Sequence, residues 1–272
     1  MKFTVEQIKQ LNEELPTDAV AGPWGGGKSL FGITRPVLPN SQVIWLHTEP
    51  SGANYAALYA IDRVEINSMP DLRQAMTDMP SVAHIIVDTI APIENWLYQD
   101  VLAGVDLYGS DVKSGDAKRF AKDAAAAWGE MKNREIVLLT KMLKKADAVT
   151  ITSHMRARYI GNRPSGTQEP RVKDVVNQFV SLFLILQRDN GPGAPSAEVL
   201  KSTLIDKAYF AETGEPRPVL PPRLPIATWE TIWKYIENPV DARNLAPGEE
   251  SRSMTDQETL RLVARVVEEP VE

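Results

Sequence analysis

Short apolar runs alternate with amphipathic stretches along most of the chain. The apolar runs predict strands of a buried sheet, and the sequence contains five of them, at residues 18–21, 42–46, 84–88, 146–152 and 179–186. Between these runs, apolar residues recur every three or four positions, which is the period of an amphipathic helix. Strands that alternate with helices require crossover connections, so the pattern predicts a mostly parallel, doubly wound α/β sheet flanked by helices.

Capping residues and prolines mark the ends of two helices near the start of the chain. Thr4 and Gln7 have the spacing of a capping box, and Pro16 ends the helix that they open. Ser68 and Asp71 cap a second helix in the same way. Both helices have apolar residues on one face, so we expect them to pack against the sheet.

Other segments are assigned from composition and spacing. A helix is expected directly after the glycine-rich loop, at residues 28–34, and helical spacing covers residues 92–142 except for a predicted mobile loop at 104–115. Residues 198–210 are expected to form one or two strands at the sheet edge, and residues 229–236 a short helix.

The domain organisation follows from a change in composition near the end of the chain. Residues 1–240 are predicted to form one domain, and residues 241–272 a linker followed by an acidic C-terminal helix or tail. Thr255 and Glu258 form a capping box ahead of apolar residues at helical spacing, namely Leu262, Val263, Val266 and Val267.

Composition excludes several classes of chemistry. The 272 residues are 43% hydrophobic and 24% charged, as in a soluble globular protein. The chain has no cysteine and three histidines, which excludes thiolate metal sites and cysteine nucleophiles and leaves little for a zinc site. No apolar run approaches the roughly 20 residues that span a bilayer, and the first ten residues lack a signal-peptide core. We therefore expect a cytoplasmic protein with no membrane partner.

Charge is distributed unevenly around a net charge of −6. Residues 141–173 contain eight Lys or Arg against two acidic residues, whereas residues 248–272 contain seven acidic residues against three Arg. An acidic average can therefore hide a basic face.

The most specific motif is a phosphate-binding loop, or P-loop, at residues 22–29. It reads G-P-W-G-G-G-K-S and matches the complete pattern G-x-x-x-x-G-K-[ST]. Glycines let backbone amides approach phosphate oxygens, Lys28 would contact the β- and γ-phosphates of ATP, and Ser29 would offer a hydroxyl to Mg²⁺. The alternative is a glycine-rich loop that matches by accident. The predicted nucleotide contacts are Gly22, Pro23, Trp24, Gly25, Gly26, Gly27, Lys28, Ser29 and Leu30.

Two carboxylates follow predicted strands after the P-loop. Asp88 ends the run H-I-I-V-D and is predicted to hold Mg²⁺, as a Walker B residue does; the alternative is a helix cap or strand-end turn. Glu49 ends V-I-W-L-H-T-E and could orient or deprotonate the attacking water; the alternative is a solvated glutamate. His47 is predicted to be a structural neighbour.

A histidine and a basic segment follow the strand at residues 146–152. His154 lies where a polar group can bond the γ-phosphate and report its presence to the next loop. That predicted loop could contact a nucleic-acid backbone and stack a base, although a solvated basic loop would have the same composition. Its candidate DNA-binding residues are Arg156, Arg158, Tyr159, Arg163, Arg171 and Lys173.

Taken together, these motifs resemble the RecA/RadA superfamily of P-loop ATPases. The sequence looks closest to the small phage-encoded RecA-like ATPases of single-strand annealing and recombination, over residues 20–186. The resemblance implies a RecA-like ATPase core that uses ATP and Mg²⁺, with Lys28, Glu49 and His154 as catalytic residues and Ser29 and Asp88 at the metal. It also implies that residues 104–115 and 156–173 stand where the family has its first and second DNA-binding loops.

The same resemblance implies partners. Members of the family assemble as rings or filaments in which a basic residue reaches the neighbour's nucleotide, and Arg188, Lys201 and Lys207 are candidates. Single-stranded DNA would be the main partner, with a single-strand-binding or replication protein as a further one. A phage-encoded protein would act in the cytoplasm of the bacterial host.

Three functions remain open at this point. The first is a DNA-stimulated ATPase in recombination, annealing or repair. The second is a P-loop ATPase that acts on a protein partner, of the helicase-loader or signalling type, without direct DNA binding. The third is a small-molecule kinase, which fits less well because no lid arginines follow the helical segment.

Overall fold

The computed structural model describes residues 2–49, 58–59, 61–111, 114–160, 163–172, 174–188 and 194–239, with the backbone alone for 114–117, 159–160 and 174. The predicted linker and acidic helix at residues 241–272 lie outside the described residues.

The strands of the described residues belong to one sheet. They are β1 (Thr17–Gly22), β2 (Val43–His47), β3 (Asp62–Glu65), β4 (Val82–Asp88), β5 (Ala146–Ile160), β6 (Arg163–Pro170), β7 (Leu182–Gln187), β8 (Ser196–Ser202) and β9 (Arg223–Leu224). The helices are α1 (Val5–Glu14), α2 (Lys28–Ile33), α3 (Met69–Asp78), α4 (Ile90–Ala103), α5 (Ser114–Lys122), α6 (Ala124–Lys145), α7 (Asp174–Phe179), α8 (Lys207–Thr213) and α9 (Trp229–Glu237).

The nine-stranded sheet is mostly parallel, as the alternating pattern predicted. Its strand order is β3-β2-β4-β5-β1-β7-β8-β9, and β6 pairs only with the far end of β5. The pairs from β3 across to β7 are parallel, whereas β7–β8, β8–β9 and β5–β6 are antiparallel. The prediction of a mixed α/β fold with a mostly parallel sheet flanked by helices is therefore confirmed.

Helices cover both faces of the sheet and bury two large cores, beside a small cluster of Ile33, Trp45 and Ile86. In β1, Ala19 and Ala21 point into one core, and Val20 points into the other, as the alternation of a strand requires. The first core contains residues of α3, α4, α6 and α7, while the second contains residues of α1, α2 and α9. Strands buried on both faces explain why their sequences are apolar runs and not alternating patterns.

Local signals place the ends of two predicted helices correctly. The side chain of Thr4 accepts from the Gln7 amide, and the Gln7 side chain accepts from the Thr4 amide, which completes the predicted capping box of α1. The Ser68 side chain accepts from the Asp71 amide at the start of α3. Among the described residues, no helix is long and apolar enough to cross a bilayer.

Two predicted strand segments are partly helical. The segment 179–186 begins as a strand only at Leu182, because Phe179 lies three and four residues after the buried Val176 and Val175 and is the last residue of α7. In the segment 198–210, β8 ends at Ser202 and α8 follows, capped by the Asp206 side chain, which accepts from the Tyr209 amide at 3.0 Å.

The predicted loop at 104–115 is shorter than expected. Its described part, residues 104–111, is a turn that is bonded to two helices: Arg73 donates to the Leu107 carbonyl at 3.0 Å, and Arg134 donates to the Val105 carbonyl. Ser114 already begins α5. These hydrogen bonds join residues that are far apart in the sequence, so the local composition of the segment does not predict them.

Candidate nucleotide-binding site

The P-loop joins β1 to α2 at the carboxyl edge of the parallel sheet. Gly25 and Gly27 have φ values of 70° and 87°, a left-handed conformation that favours glycine. The Gly26 amide donates to the Pro23 carbonyl at 3.1 Å and closes a tight turn with Trp24 and Gly25 at its centre. The glycines of the motif therefore meet a backbone requirement of the observed loop.

Two cationic side chains of the same chain donate hydrogen bonds to the backbone of this turn. Lys28 is buried and donates through Nζ to the Pro23 carbonyl at 2.8 Å. Burial lowers the pKa of Lys28, while the carboxylates of Asp88 and Glu49 act to raise it. Arg188, directly after β7, donates to the Gly25 carbonyl at 3.0 Å. The P-loop therefore has a defined turn that is hydrogen-bonded to its own lysine. Leu30, the last of the predicted nucleotide contacts, is half-buried in α2.

The serine of the P-loop meets the carboxylate at the end of β4. Ser29 Oγ donates to Asp88 Oδ2 at 2.7 Å, and the Thr152 hydroxyl donates to Asp88 Oδ1. The hydroxyl of Ser29 and the carboxylate of Asp88 are hard oxygen ligands on neighbouring elements, which suits Mg²⁺. The donor set therefore fits the metal that the P-loop sequence implies.

Glu49 and His154 form the second polar pair of the site. His154 ends the sheet portion of β5 and lies opposite Gly22 in the β1–β5 register. Its Nε2 lies 3.0 Å from each carboxylate oxygen of Glu49, so the carboxylate accepts from an Nε2–H. Thr89 Oγ1 also donates to Glu49, at 3.4 Å. The carboxylate is thus held beside the P-loop by groups from β5 and from the end of β4.

The side chain of Trp24 was expected only to line the P-loop, but it also contacts His154. The two rings are stacked with centroids 4.0 Å apart and an interplanar angle of 26°. This contact joins the loop after β1 to the end of β5, and it depends on the turn and on the strand register together. A residue at a freely variable position of the motif gives no sequence signal for it.

His47, predicted to be a structural neighbour of the site, is next to the backbone of Glu49. It is buried, and its Nδ1 is 2.9 Å from the Glu49 carbonyl and 3.3 Å from Arg63 Nη2. It thus contacts the backbone carbonyl of Glu49, whereas His154 contacts the carboxylate of that residue.

The basic segment after His154 is a β-hairpin, which corrects the predicted loop. From Met155 onward, β5 extends past β1 and β4 and pairs with β6 in an antiparallel ladder. Arg156, Arg158, Arg163 and Arg171 are exposed on this hairpin. Arg156 is paired with Glu169 at 2.8 Å, and within the described residues the other three arginines have no carboxylate partner. The Tyr159 side chain and Lys173 lie outside the described part of the chain.

The candidates for contact with a neighbouring subunit are bonded within the chain. Arg188 contacts its own P-loop, as described above. Lys201 caps the end of α7 by donating to the Asn177 and Gln178 carbonyls at 2.8 and 2.9 Å, and Lys207 pairs with Glu14 at 2.8 Å.

Comparison with known proteins gives no match of sequence and a partial match of structure. No protein-family model matches the sequence, and no curated protein matches it. A crystal structure of the RadB recombinase is similar over 75% of this chain and 91% of that chain, with a TM-score of 0.45 and 14% sequence identity. Similarity at this level carries no information about ligands or activity, which have to be judged from the site itself.

Proposed function

We propose that this protein binds and hydrolyses ATP with Mg²⁺ as a RecA-like ATPase, and that it acts on single-stranded DNA in phage-type recombination, annealing or repair. The observation that carries the proposal is the course of β5. A single strand brings His154 beside Gly22 and Glu49 and then continues into the arginine-bearing hairpin. One element therefore links the candidate hydrolytic group to the candidate DNA contact.

Nucleotide binding is assigned to the P-loop. Its glycines present the backbone to phosphate oxygens, and Lys28 would exchange its bond to the Pro23 carbonyl for the phosphates. Ser29 and Asp88 would hold Mg²⁺, which neutralises phosphate charge during phosphoryl transfer. Since Asp88 is held by Thr152 as well, its carboxylate is oriented before any ligand arrives.

Hydrolysis is assigned to Glu49. Phosphoryl transfer needs a positioned nucleophile more than covalent chemistry, and a carboxylate beside the phosphate site can orient a water molecule or accept its proton. His154 and Thr89 fix the Glu49 carboxylate, which is only partly exposed. Because His154 belongs to β5, its bond to Glu49 also connects the bound or unbound nucleotide to the hairpin at the end of that strand.

DNA binding is assigned to the hairpin. Its exposed arginines suit a phosphate backbone, because arginine pairs with phosphate through two N–H groups. Binding of this kind should weaken steeply with salt. We also expect self-association into a ring or filament, and contact with a single-strand-binding or replication protein belongs to the same proposal.

The deciding experiment is ATP hydrolysis by the full chain with and without single-stranded DNA, together with two variants. Lys28→Ala should lose nucleotide binding because the phosphate-contacting cation is removed. Glu49→Gln should bind ATP normally but hydrolyse it at least tenfold more slowly, since about 10²–10⁴-fold is typical for a lost acid–base group.

The outcomes separate the competing functions. Turnover that no nucleic acid changes, with no salt-sensitive DNA binding at low ionic strength, would exclude the DNA role and favour an ATPase that acts on a protein partner. Transfer of the γ-phosphate to a metabolite would establish a kinase instead. Normal turnover in Glu49→Gln would remove Glu49 from the mechanism.

A further inference from the structure

Trp24 is an exposed aromatic residue in the middle of the P-loop. It is 71% exposed, yet its indole covers the imidazole of His154. The turn that carries Trp24 is bonded to Lys28 through the Pro23 carbonyl and to Arg188 through the Gly25 carbonyl. The backbone of the turn that carries the indole is therefore held by these two cations.

Within the described residues, the ring of His154 is hydrogen-bonded through one nitrogen alone. Histidines that orient another group are commonly held through the ring nitrogen that faces away from it. Here Nε2 faces Glu49, whereas Nδ1 is buried and has no partner among the described residues. The indole of Trp24, stacked on the face of the imidazole, is therefore an aromatic contact that can restrain a ring held by hydrogen bonds on one edge alone.

We infer that Trp24 is a positioning residue for hydrolysis, acting through His154 on the carboxylate of Glu49. This inference rests on the proposed ATPase function and deepens it. The indole restrains rotation of the imidazole, the imidazole keeps its Nε2–H on both oxygens of Glu49, and Glu49 stays beside the P-loop. Trp24 would thus link the loop that contains Lys28 to the group that acts on water.

The kinetic test uses Trp24→Leu and Trp24→Phe in the full chain. Leucine keeps apolar bulk but cannot stack. We therefore expect kcat to fall by about two- to tenfold, which is the rate change that corresponds to the energy of one aromatic contact. KM for ATP should change by less than about twofold, because the lost contact acts on turnover and not on uniform binding. Phenylalanine restores a stacking face and should recover most of the rate.

A double-mutant cycle shows whether the effect passes through Glu49. In a Glu49→Gln background, Trp24→Leu should cause no further loss of the residual rate, because the group that it positions is already gone. An undiminished loss in that background, or a loss confined to KM, would mean that Trp24 acts on the nucleotide directly and would overturn the inference. Phe210→Leu removes an aromatic side chain exposed on α8 and is the matched control, with kcat unchanged.

A readout without nucleotide separates this inference from the proposed function. Nitrogen-15 NMR of the neutral His154 ring should show one tautomer, with the proton on Nε2, in the wild-type protein and in Trp24→Phe. Trp24→Leu should mix the two tautomers. Unchanged ring shifts in Trp24→Leu would overturn the positioning role whatever the kinetics show. If instead the shifts change but the wild-type protein hydrolyses no nucleoside triphosphate, the proposed function fails, and the role of Trp24 in turnover fails with it.

Discussion

At the scale of single residues, a buried ion pair joins the strand before the P-loop to a residue that follows the P-loop helix. The side chains of Asp18 in β1 and Arg35 after α2 form an ion pair with no exposed surface. Arg35 also donates to the Leu15 carbonyl at 2.6 Å and lies over the ring of Trp229. Burial raises the pKa of Asp18 from 3.8 to about 6, although Arg35 and a bond from Thr150 act to lower it.

The raised pKa fixes the sign of the pH dependence. The folded protein retains the Asp18 proton at a pH where the unfolded chain has lost it, so this group's contribution to stability is fully present below pH 3.8 and is lost as the pH rises through about 6. Above that range, Asp18 is ionised and depends on Arg35 as its counter-charge.

Removing the counter-charge should therefore cost more at high pH. We expect Arg35→Met to lower the free energy of unfolding by about 3–5 kcal/mol at pH 8, where it leaves a buried carboxylate unpaired. At pH 5, Asp18 is mostly protonated and the loss should be smaller. Urea unfolding at the two pH values measures the difference.

The second variant of this pair supplies the control. Adding Asp18→Asn to Arg35→Met removes the unpaired carboxylate and should recover part of the loss at pH 8. A loss that is the same at both pH values, or no recovery in the double variant, would contradict the assigned electrostatic role.

At the scale of secondary-structure elements, β5 makes the hairpin with β6 that the local pattern did not predict. Its first half is a buried apolar run, and its second half is polar and extends past the neighbouring strands β1 and β4. Residues 163–170 read R-P-S-G-T-Q-E-P, with two prolines and no apolar alternation, so they favour a loop on composition. Pairing with the extended end of β5 gives them strand geometry instead, and long-range pairing of this kind is not visible in a local window.

Removing a positive charge from the hairpin should weaken DNA binding, whereas removing a negative charge should strengthen it. We expect Arg158→Gln or Arg163→Gln to weaken single-stranded DNA binding and to reduce the salt slope by about 0.7 for each phosphate contact that is lost. Glu169→Gln should strengthen binding, because it releases Arg156 from its ion pair. Fluorescence anisotropy over a range of salt concentrations measures both effects.

An exposed arginine on another element serves as the matched control for the hairpin. Arg223 lies in β9 at the sheet edge, and Arg223→Gln makes the same chemical change away from the hairpin. A salt slope that falls equally in Arg223→Gln would indicate a diffuse charge effect and would contradict a specific contact with the hairpin.

The sequence predicts which residues gather at the candidate site, but it does not predict every contact between them. The carboxyl ends of parallel strands meet at one sheet edge, so Lys28, Asp88, Glu49 and His154 could be placed near one another from the order of apolar runs alone. Their roles remain predictions. The stack of Trp24 on His154 could not be anticipated, because it requires the turn conformation and the register of β1 against β5.

At the scale of the whole molecule, the last described helix returns to the P-loop face. The ring of Trp229 in α9 packs 4.7 Å from that of Phe31 in α2, and its Nε1–H donates to the Phe31 carbonyl at 2.9 Å. Trp233, further along α9, instead contacts Phe3 near the start of the chain, with ring centroids 6.0 Å apart. Residues from both ends of the described chain thus close the second core over the helix that carries Lys28 and Ser29.

This arrangement predicts that two buried tryptophans of one helix differ in their effect on nucleotide binding. Trp229→Ala and Trp233→Ala should each lower the free energy of unfolding by about 3–5 kcal/mol, because each removes a large buried side chain. Only Trp229→Ala should also weaken the stabilisation by a non-hydrolysable ATP analogue, since Trp229 directly supports α2. For a site at 100 times its Kd that stabilisation is about 2.7 kcal/mol, and it falls as Kd rises. Thermal unfolding with and without the analogue measures the difference, and an equal ligand-induced shift in the two variants would show that α9 stabilises the fold without setting the position of the P-loop helix.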